Sequence, residues 1–168
     1  MLNHFSLGVI NYKKSFDYYS HTLKALFGSD LVITEHEYAP VVQSIEEVDP
    51  VTNSTVKKDL VLFPGVKFAN FLHQKDQLFL TIEDLCYGHK EELIPTDYGS
   101  PKGVHYSFKA ESKQQIQEWY AKSIEFGATC NGAPGVRPMY GPSYYGAFVV
   151  DPNGYRLEAC LSTYNSKL

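Results

Sequence analysis

The sequence predicts an α+β fold in which one domain of 168 residues contains two copies of a βαβββ unit. Two segments repeat one pattern: the first starts HFSLGV at His4, and the second starts HYSFKA at His105. Each continues into a helical pattern that closes on Phe-Gly, at residues 27–28 and 126–127. Strand-like runs then follow each helix. An internal repeat of this size is one supersecondary unit, so the chain is expected to be a tandem duplication.

The opening of each copy alternates between apolar and polar residues, as a half-buried strand does. Phe5 and Leu7 fall opposite His4 in the first copy. The second copy repeats this arrangement around His105. Apolar residues then recur at the spacing of an amphipathic helix, and Ser112 is predicted to cap the second helix at its N-terminus.

Three further strands are predicted in each copy. They cover residues 31–38, 59–71 and 77–83 in the first copy, and residues 128–131, 144–151 and 155–161 in the second. The DPNG sequence at 151–154 predicts a tight turn, and the polar stretch 46–58 predicts a long hairpin loop. We therefore place the first module at 1–86, a linker at 87–102 and the second module at 103–168 of a single domain.

The composition is that of an ordinary globular protein, with 43% hydrophobic and 20% charged residues. The net charge of −4 gives no reason to expect nucleic acid or an anionic membrane as a partner. No stretch reaches the roughly 18 apolar residues of a membrane helix, and the first residues lack the pattern of a signal peptide. The three cysteines form no CxxC pair, which favours a reducing, cytoplasmic location over a disulfide scaffold.

Several common catalytic motifs are missing from the sequence. It contains no P-loop, no GxGxxG after a strand and no GxSxG elbow, so nucleophilic serine chemistry has no support. Aromatic residues make up 14% of the chain. Such a composition suits a lined pocket or an interface, and it equally suits the core of a β-sheet.

The duplicated unit, the His-led first strands and the run YYGAFVVDPNGYRLEA at 144–159 resemble the vicinal oxygen chelate superfamily. This superfamily includes glyoxalase I, extradiol dioxygenases, and fosfomycin- and bleomycin-resistance proteins. The run NGAPGVRP at 131–138 is similar to a subgroup of small glyoxalase-like proteins. The resemblance implies that the two modules pair into a half-open, mixed-sheet barrel. It says less about the reaction, because this fold serves many chemistries.

The resemblance implies a metal site at His4, His105 and Glu158. The family has a fourth ligand position, which falls in the strand around Phe79, where glyoxalase-like enzymes carry a carboxylate. Two histidines and one carboxylate form the facial triad that holds non-haem iron. The expected cofactor is therefore a divalent metal, with Fe²⁺ or Mn²⁺ favoured and Zn²⁺ or Ni²⁺ as alternatives.

Other residues near the Gly/Pro-rich segment are candidates for contact with a substrate. Arg137 is expected to pair with a substrate carboxylate, and Tyr144 and Phe79 are expected to line the substrate pocket. Tyr140 and Tyr145 are the candidate catalytic residues, because a tyrosine hydroxyl can donate to a developing oxyanion. The alternative is that the tyrosines pack the sheet and that Arg137 caps a surface turn.

Three functions remain open from the sequence. The first is a metal-dependent lyase or dioxygenase that acts on a small oxygen-rich molecule. The second is a metal-free binding protein of the bleomycin-resistance type, which would need an acidic, aromatic groove for a cationic drug. The third is an interaction domain that has lost its site. The expected partner is a small-molecule substrate, and a homodimer is possible because relatives often dimerise.

Overall fold

The described chain is built from two modules in tandem. The computed structural model describes residues 5–49, 54–63, 66–74, 78–85 and 104–161. The first module contains β1 (Phe5–Val9), α1 (Tyr12–Phe27), β2 (Leu31–Tyr38), β3 (Val41–Val48), β4 (Thr55–Phe63), β5 (Val66–His73) and β6 (Leu78–Asp84). The second contains β7 (Tyr106–Lys109), α2 (Lys113–Glu125), β8 (Thr129–Val136), β9 (Tyr145–Val150) and β10 (Arg156–Leu161). The predicted α+β class is confirmed.

Each module forms one four-stranded sheet, and the two sheets have the same strand order. The orders are β1-β6-β5-β2 and β7-β10-β9-β8. The first strand pairs in parallel with the last strand of its module, and the remaining pairs are antiparallel. Both sheets are therefore mixed, and neither closes on itself within the described residues. This arrangement confirms the predicted half-open barrel.

The helices begin and end where the sequence places caps. The Asn11 side chain accepts a hydrogen bond from the Lys14 backbone at the start of α1, at 3.0 Å. Ser112 caps α2 as predicted, since its hydroxyl accepts from the Gln115 backbone at 3.1 Å. The Gln115 side-chain oxygen in turn accepts from the Ser112 backbone amide at 3.2 Å, which completes a capping box. Gly127, with φ 96°, follows α2 in a conformation that suits glycine.

The stretch predicted as a hairpin loop is largely strand. β3 and β4 pair with each other as a separate two-stranded sheet that covers much of residues 46–58. Glu46 lies opposite Lys57, and the Glu47 carboxylate is 3.4 Å from the Lys58 ammonium. The prediction was wrong because this hairpin is exposed along β3 and so lacks the apolar stripe that marks a half-buried strand.

One hydrophobic core runs through both modules. The helices pack against each other and against one face of the sheets. The largest fully buried side chains come from both modules and include Tyr18, Tyr19, Phe71, Phe108 and Trp119. The Phe5 and Tyr106 rings stack at 5.0 Å, which joins the first strands of the two modules.

The predicted turn between β9 and β10 also ties the second module to the first. Asp151 accepts a hydrogen bond from the Tyr19 hydroxyl at 2.7 Å. The Asn153 side chain accepts from the Ile10 backbone at 3.3 Å. The Tyr155 hydroxyl donates to the Gly8 carbonyl at 3.0 Å. The turn is therefore a fixed part of the junction between modules and no mere surface connection.

The proposed linker, 87–102, lies outside the described residues, so the module boundaries remain predictions. None of the described helices combines the length and apolar character needed to cross a lipid bilayer.

Candidate functional site

The second module carries a polar row on the sheet face that points away from the helices. Leu157 and Ala159 of β10 are buried in the core, so Glu158 between them points to the other face. Its neighbours in the ladder are Ser107 on β7 and Phe148 on β9. We call the face that carries these three residues the open face.

Glu158 is a buried carboxylate whose two oxygen atoms have different partners. Its Oε2 lies 3.0 Å from the Nε2 of His105, and its Oε1 accepts a hydrogen bond from the Tyr144 hydroxyl at 2.6 Å. The Glu158 side chain is 3% exposed, whereas the His105 side chain is 50% exposed. Burying a charge is costly unless it is paired, and these two contacts offset part of that cost. His105 thus connects the buried carboxylate to solvent.

A glycine makes room for this carboxylate. Gly146 lies opposite Cys160 in the ladder. A Cβ atom at Gly146 would lie 3.2 Å from Glu158 Oε1 and 3.4 Å from the Tyr144 ring, closer than most Cβ contacts. Any larger residue would press on both members of the hydrogen bond, so the glycine helps to fix the carboxylate.

Tyr144 supports Glu158, and its role in the substrate pocket stays a prediction. Burial raises the pKa of Tyr144, and the neighbouring Cys160 and Glu158 raise it further. The hydroxyl therefore keeps its proton and acts as the donor to Glu158. The Cys160 thiol also lies 3.3 Å from the Ser107 hydroxyl, so the polar row extends beyond the carboxylate. The roles of Cys160 and Ser107 were not predicted, although their alternation with core residues is visible in the sequence.

The spacing between His105 and Glu158 fits a shared metal ion. Two donor atoms about 2.1 Å from one metal ion, at roughly a right angle, lie about 3.0 Å apart. The observed distance from Nε2 to Oε2 is 3.0 Å. His4, the third predicted ligand, lies outside the described residues. Within the described part of the chain, no group of three His, Cys, Asp or Glu side chains is arranged to hold a metal. The described residues thus supply two of the three predicted donors.

His105 also lines an open groove of about 470 Å³. The described lining residues are Val104, His105, Asn131, Gly132, Arg137, Met139, Tyr140, Phe148, Arg156 and Leu157. This volume is within the range of small-molecule sites. The described part of the lining includes two arginines and no carboxylate. Tyr140, one of the predicted catalytic residues, lies at this groove and is 63% exposed.

Arg137 is held against the backbone of β8 and the ring of Phe148. Its guanidinium carbon lies 5.5 Å from the centre of the Phe148 ring. Its two terminal nitrogens donate to the carbonyls of Ala133 and Val136, at 2.5 Å and 3.2 Å. The structure therefore places Arg137 at the groove, where the sequence expected a substrate contact.

Tyr145 lies on the wrong face for the catalytic role predicted from the sequence. Its hydroxyl accepts a hydrogen bond from Gln117 of α2 at 3.1 Å, and the Lys113 ammonium lies over its ring at 5.3 Å. Tyr145 shares the face of β9 that carries the buried Ala147 and Val149, so it points away from the face that carries Glu158. The assignment of Tyr145 to the site of Glu158 is corrected accordingly.

Ladder register also corrects the assignment of Phe79 to the fourth ligand position. Phe5 pairs with Leu80 in the first module, as Tyr106 pairs with Leu157 in the second. The residues that follow these leucines are therefore equivalent.

Thr81 is thus the counterpart of Glu158, and Phe79 is the counterpart of Arg156. The Thr81 hydroxyl donates to the Asn70 side chain at 3.0 Å. The first module therefore offers a neutral hydroxyl where the second module offers a carboxylate. The role of Phe79 in substrate binding stays a prediction.

Solved structures share this fold at low sequence identity. A glyoxalase/bleomycin resistance protein from Albidiferax ferrireducens T118 matches with a TM-score of 0.58 and 18% identity, over 96% of this chain and 98% of that chain. A glyoxylase/bleomycin resistance protein/dioxygenase domain from Frankia sp. EAN1pec matches with a TM-score of 0.55 and 16% identity, over 98% and 93%. The fosfomycin resistance protein FosX from Listeria monocytogenes matches with a TM-score of 0.54 and 14% identity, over 100% and 98%.

No family model matches the sequence, and no curated protein matches it either. The structural matches agree with the resemblance found in the sequence, and the chain has the fold of the vicinal oxygen chelate superfamily. Identities this low establish the fold and leave the activity open.

Proposed function

We propose that this chain, with its vicinal oxygen chelate fold, is a metal-dependent enzyme of the lyase or dioxygenase type. Its substrate is a small oxygen-rich molecule that binds in the groove beside His105. The observation that carries this proposal is the distance of 3.0 Å between His105 Nε2 and Glu158 Oε2, which suits two ligands of one metal ion. His4 is the proposed third ligand.

The electrostatics of Glu158 support a cation at this position. The carboxylate is buried, and its described hydrogen-bond partners are the neutral Tyr144 hydroxyl and the His105 imidazole. A divalent ion bound there would stabilise the negative charge more than hydrogen bonds from neutral groups do. His105 is half exposed, so an ion that it binds would face the groove.

The donor set favours Fe²⁺ or Mn²⁺, with Zn²⁺ or Ni²⁺ as alternatives. A bound ion would supply Lewis-acid polarisation of substrate oxygens. The protein contributes orientation. Tyr144 fixes one oxygen of Glu158, which leaves the other directed at His105. Tyr140 lines the groove and is the remaining candidate for a hydrogen bond to a substrate oxygen.

A metal-free binding protein is the second candidate. In its favour, both oxygens of Glu158 already have protein partners, so the pair is satisfied without a metal. The described lining of the groove contains Arg137 and Arg156 but no carboxylate. That charge disfavours the capture of a cationic drug, so a metal-free protein of this kind would bind a neutral or anionic molecule.

Metal content is the decisive measurement. We expect protein purified without chelator, or reconstituted with Fe²⁺, Mn²⁺, Zn²⁺ or Ni²⁺, to hold about one ion per chain by elemental analysis. His105→Ala and Glu158→Gln should lose the ion, because each removes one donor. His21→Ala is the matched control, since His21 is an exposed histidine on α1 that hydrogen-bonds to the Asp17 carbonyl. A folded wild type that takes up none of the four metals would refute the proposal.

A further inference from the structure

We propose that Arg137 forms a binding site for an anionic group of the substrate, a carboxylate or a phosphate-type oxyanion. The inference rests on the proposed function, because it names the substrate class of the same groove. Either group presents two or more oxygens to a planar guanidinium, which binds such groups through paired hydrogen bonds.

The charge of the groove is opposite to the charge of the protein. The chain has a net charge of −4. The described lining of the groove nevertheless carries Arg137 and Arg156, with His105 as its only other ionisable group apart from Tyr140. A cleft lined by one sign of charge raises the local concentration of ligands with the opposite sign. The charge of the described lining therefore favours an anionic ligand, although the net charge of the chain is negative.

The Arg137 side chain occupies a space that two glycines leave open. A Cβ atom at Gly135 would lie 2.7 Å from one terminal nitrogen of Arg137. A Cβ atom at Gly132 would lie 2.9 Å from the Phe148 ring and 3.4 Å from the other terminal nitrogen. With the ring on one side and carbonyls at its edge, the guanidinium is fixed before a ligand arrives. Such preorganisation lowers the entropic cost of binding.

The positive charge of Arg137 is not neutralised by the described protein. Its hydrogen bonds go to the backbone carbonyls of Ala133 and Val136, which are neutral acceptors. No carboxylate among the described residues forms an ion pair with it. A guanidinium has five N–H donors, so the two bonds leave donors for a ligand. An anionic ligand in the groove would supply the missing partner.

Position links this site to the proposed metal ligands. Arg137 and His105 line the same groove of about 470 Å³. A small molecule of this class can therefore place its anionic group on Arg137 while its other oxygen atoms face His105. The substrate class that follows is a small, oxygen-rich acid.

The test uses the full chain in the presence of a chelator, so that no metal contributes to binding. The probes are inorganic phosphate, acetate and acetamide, the last being a neutral molecule of the shape of acetate. Binding is followed by NMR through the backbone amides of Gly132 and Gly135. We expect phosphate and acetate to shift these amides in a saturable way, and acetamide to leave them unchanged. Stronger binding of phosphate than of acetate would favour a phosphate-type group, and the reverse would favour a carboxylate.

Three variants separate the guanidinium from general charge. Arg137→Gln should weaken anion binding by about tenfold or more, the loss expected for a charge-assisted hydrogen bond. Gly135→Ala should weaken it while keeping the charge, because the new methyl group displaces the guanidinium. Lys24→Gln, on the exposed side of α1, removes the same charge elsewhere and should have no effect. Circular dichroism of each variant confirms that it is folded.

Equal binding of acetate and acetamide, or unchanged anion binding by folded Arg137→Gln, would overturn the proposal. Its failure is distinguishable from failure of the metal site. Arg137→Gln should keep the metal uptake of the wild type, whereas His105→Ala should lose the metal and keep the response to phosphate under chelator. Anion binding without any metal uptake would support this site and reject the metal-dependent function.

Discussion

The Glu158 carboxylate is held in position by contacts with neighbouring residues. Tyr144 donates to one oxygen, and Gly146 leaves the space in which that hydrogen bond forms. The other oxygen is then directed at His105. Mutation of a group that holds a metal ligand in place typically lowers metal affinity by about 10- to 100-fold.

Tyr144→Phe is expected to lower metal affinity by about 10- to 100-fold, because it frees the Glu158 carboxylate to rotate. Calorimetric titration of the metal-free protein with Mn²⁺ or Zn²⁺ measures the effect. Tyr38→Phe serves as the control, since Tyr38 is 53% exposed at the end of β2. Wild-type affinity in Tyr144→Phe would show that the hydroxyl does not position the carboxylate.

Individual residues were predictable from the sequence where the repeat or the resemblance marks them. His105 and Glu158 were found because the first occupies a repeated position and the second follows a resemblance. Tyr145 was assigned to the wrong face of β9. Successive residues of a strand point to opposite faces, and the sequence does not show which face carries the site. Phe79 was assigned in place of Thr81 because the register of β6 is set by its pairing with β1. The sequence alone does not determine that register to the residue.

At the scale of elements, the turn between β9 and β10, residues 151–155, holds the two modules together through hydrogen bonds. Burial raises the pKa of Asp151, while hydrogen bonds from Tyr19 and Asn153 act to lower it. The backbone amides of Asn153 and Tyr155 also donate to its Oδ1, at 2.9 Å and 2.7 Å. One side chain therefore shapes the turn and anchors it to α1.

Asp151→Ala should lower the free energy of unfolding by about 3 kcal/mol, because several buried donors lose a charged acceptor. Urea denaturation of the variant and the wild type gives this difference. Asp17→Ala is the matched control, since the Asp17 carboxylate forms an exposed ion pair with Lys13 at 3.0 Å. Such a pair contributes less than about 1 kcal/mol. Similar losses in the two variants would mean that the turn is not a junction.

Patterns of hydrophobicity predicted the elements that contribute to the core and failed for the hairpin that does not. The helices and the sheet strands each bury one side, which the sequence shows as a period. β3 and β4 are held by cross-strand pairs such as Ser44 with Asp59, whose side-chain oxygens lie 2.6 Å apart. Pairing between polar residues leaves no periodic signal, so the stretch resembled a loop.

The β3-β4 hairpin is an addition to the barrel, and the register of its neighbours shows how it could be removed. Tyr38 at the end of β2 pairs directly with Val66 at the start of β5. Replacing residues 39–65 by Asn-Gly would join these strands through a two-residue turn of the type preferred in hairpins. We expect the shortened chain to fold, with its free energy of unfolding within about 1 kcal/mol of the wild type.

Circular dichroism, urea denaturation and metal uptake of the shortened chain check this expectation. Asp151→Ala provides the comparison, since it shows the response when the junction itself is weakened. Loss of cooperative unfolding in the shortened chain would show that the hairpin is part of the core.

The whole molecule is a duplication whose halves have diverged on the open face. Equivalent ladder positions read Ser6, Thr81, Asn70 and Thr34 in the first module, and Ser107, Glu158, Phe148 and Gly132 in the second. The fold was predictable because duplication repeats the core pattern. The difference between the two modules at these positions was not predictable, because it depends on which residues the strand pairing places side by side.

The turn at residues 151–155 has a consequence for folding during synthesis of the chain. Its contacts with the first module join residues far apart in the chain: 132 positions separate Tyr19 from Asp151, and 147 separate Gly8 from Tyr155. A ribosome therefore releases β1 and α1 well before their partners in the second module exist. Until the second module emerges, the side of α1 that packs on α2 stays uncovered, and completion of the core waits for translation of β10.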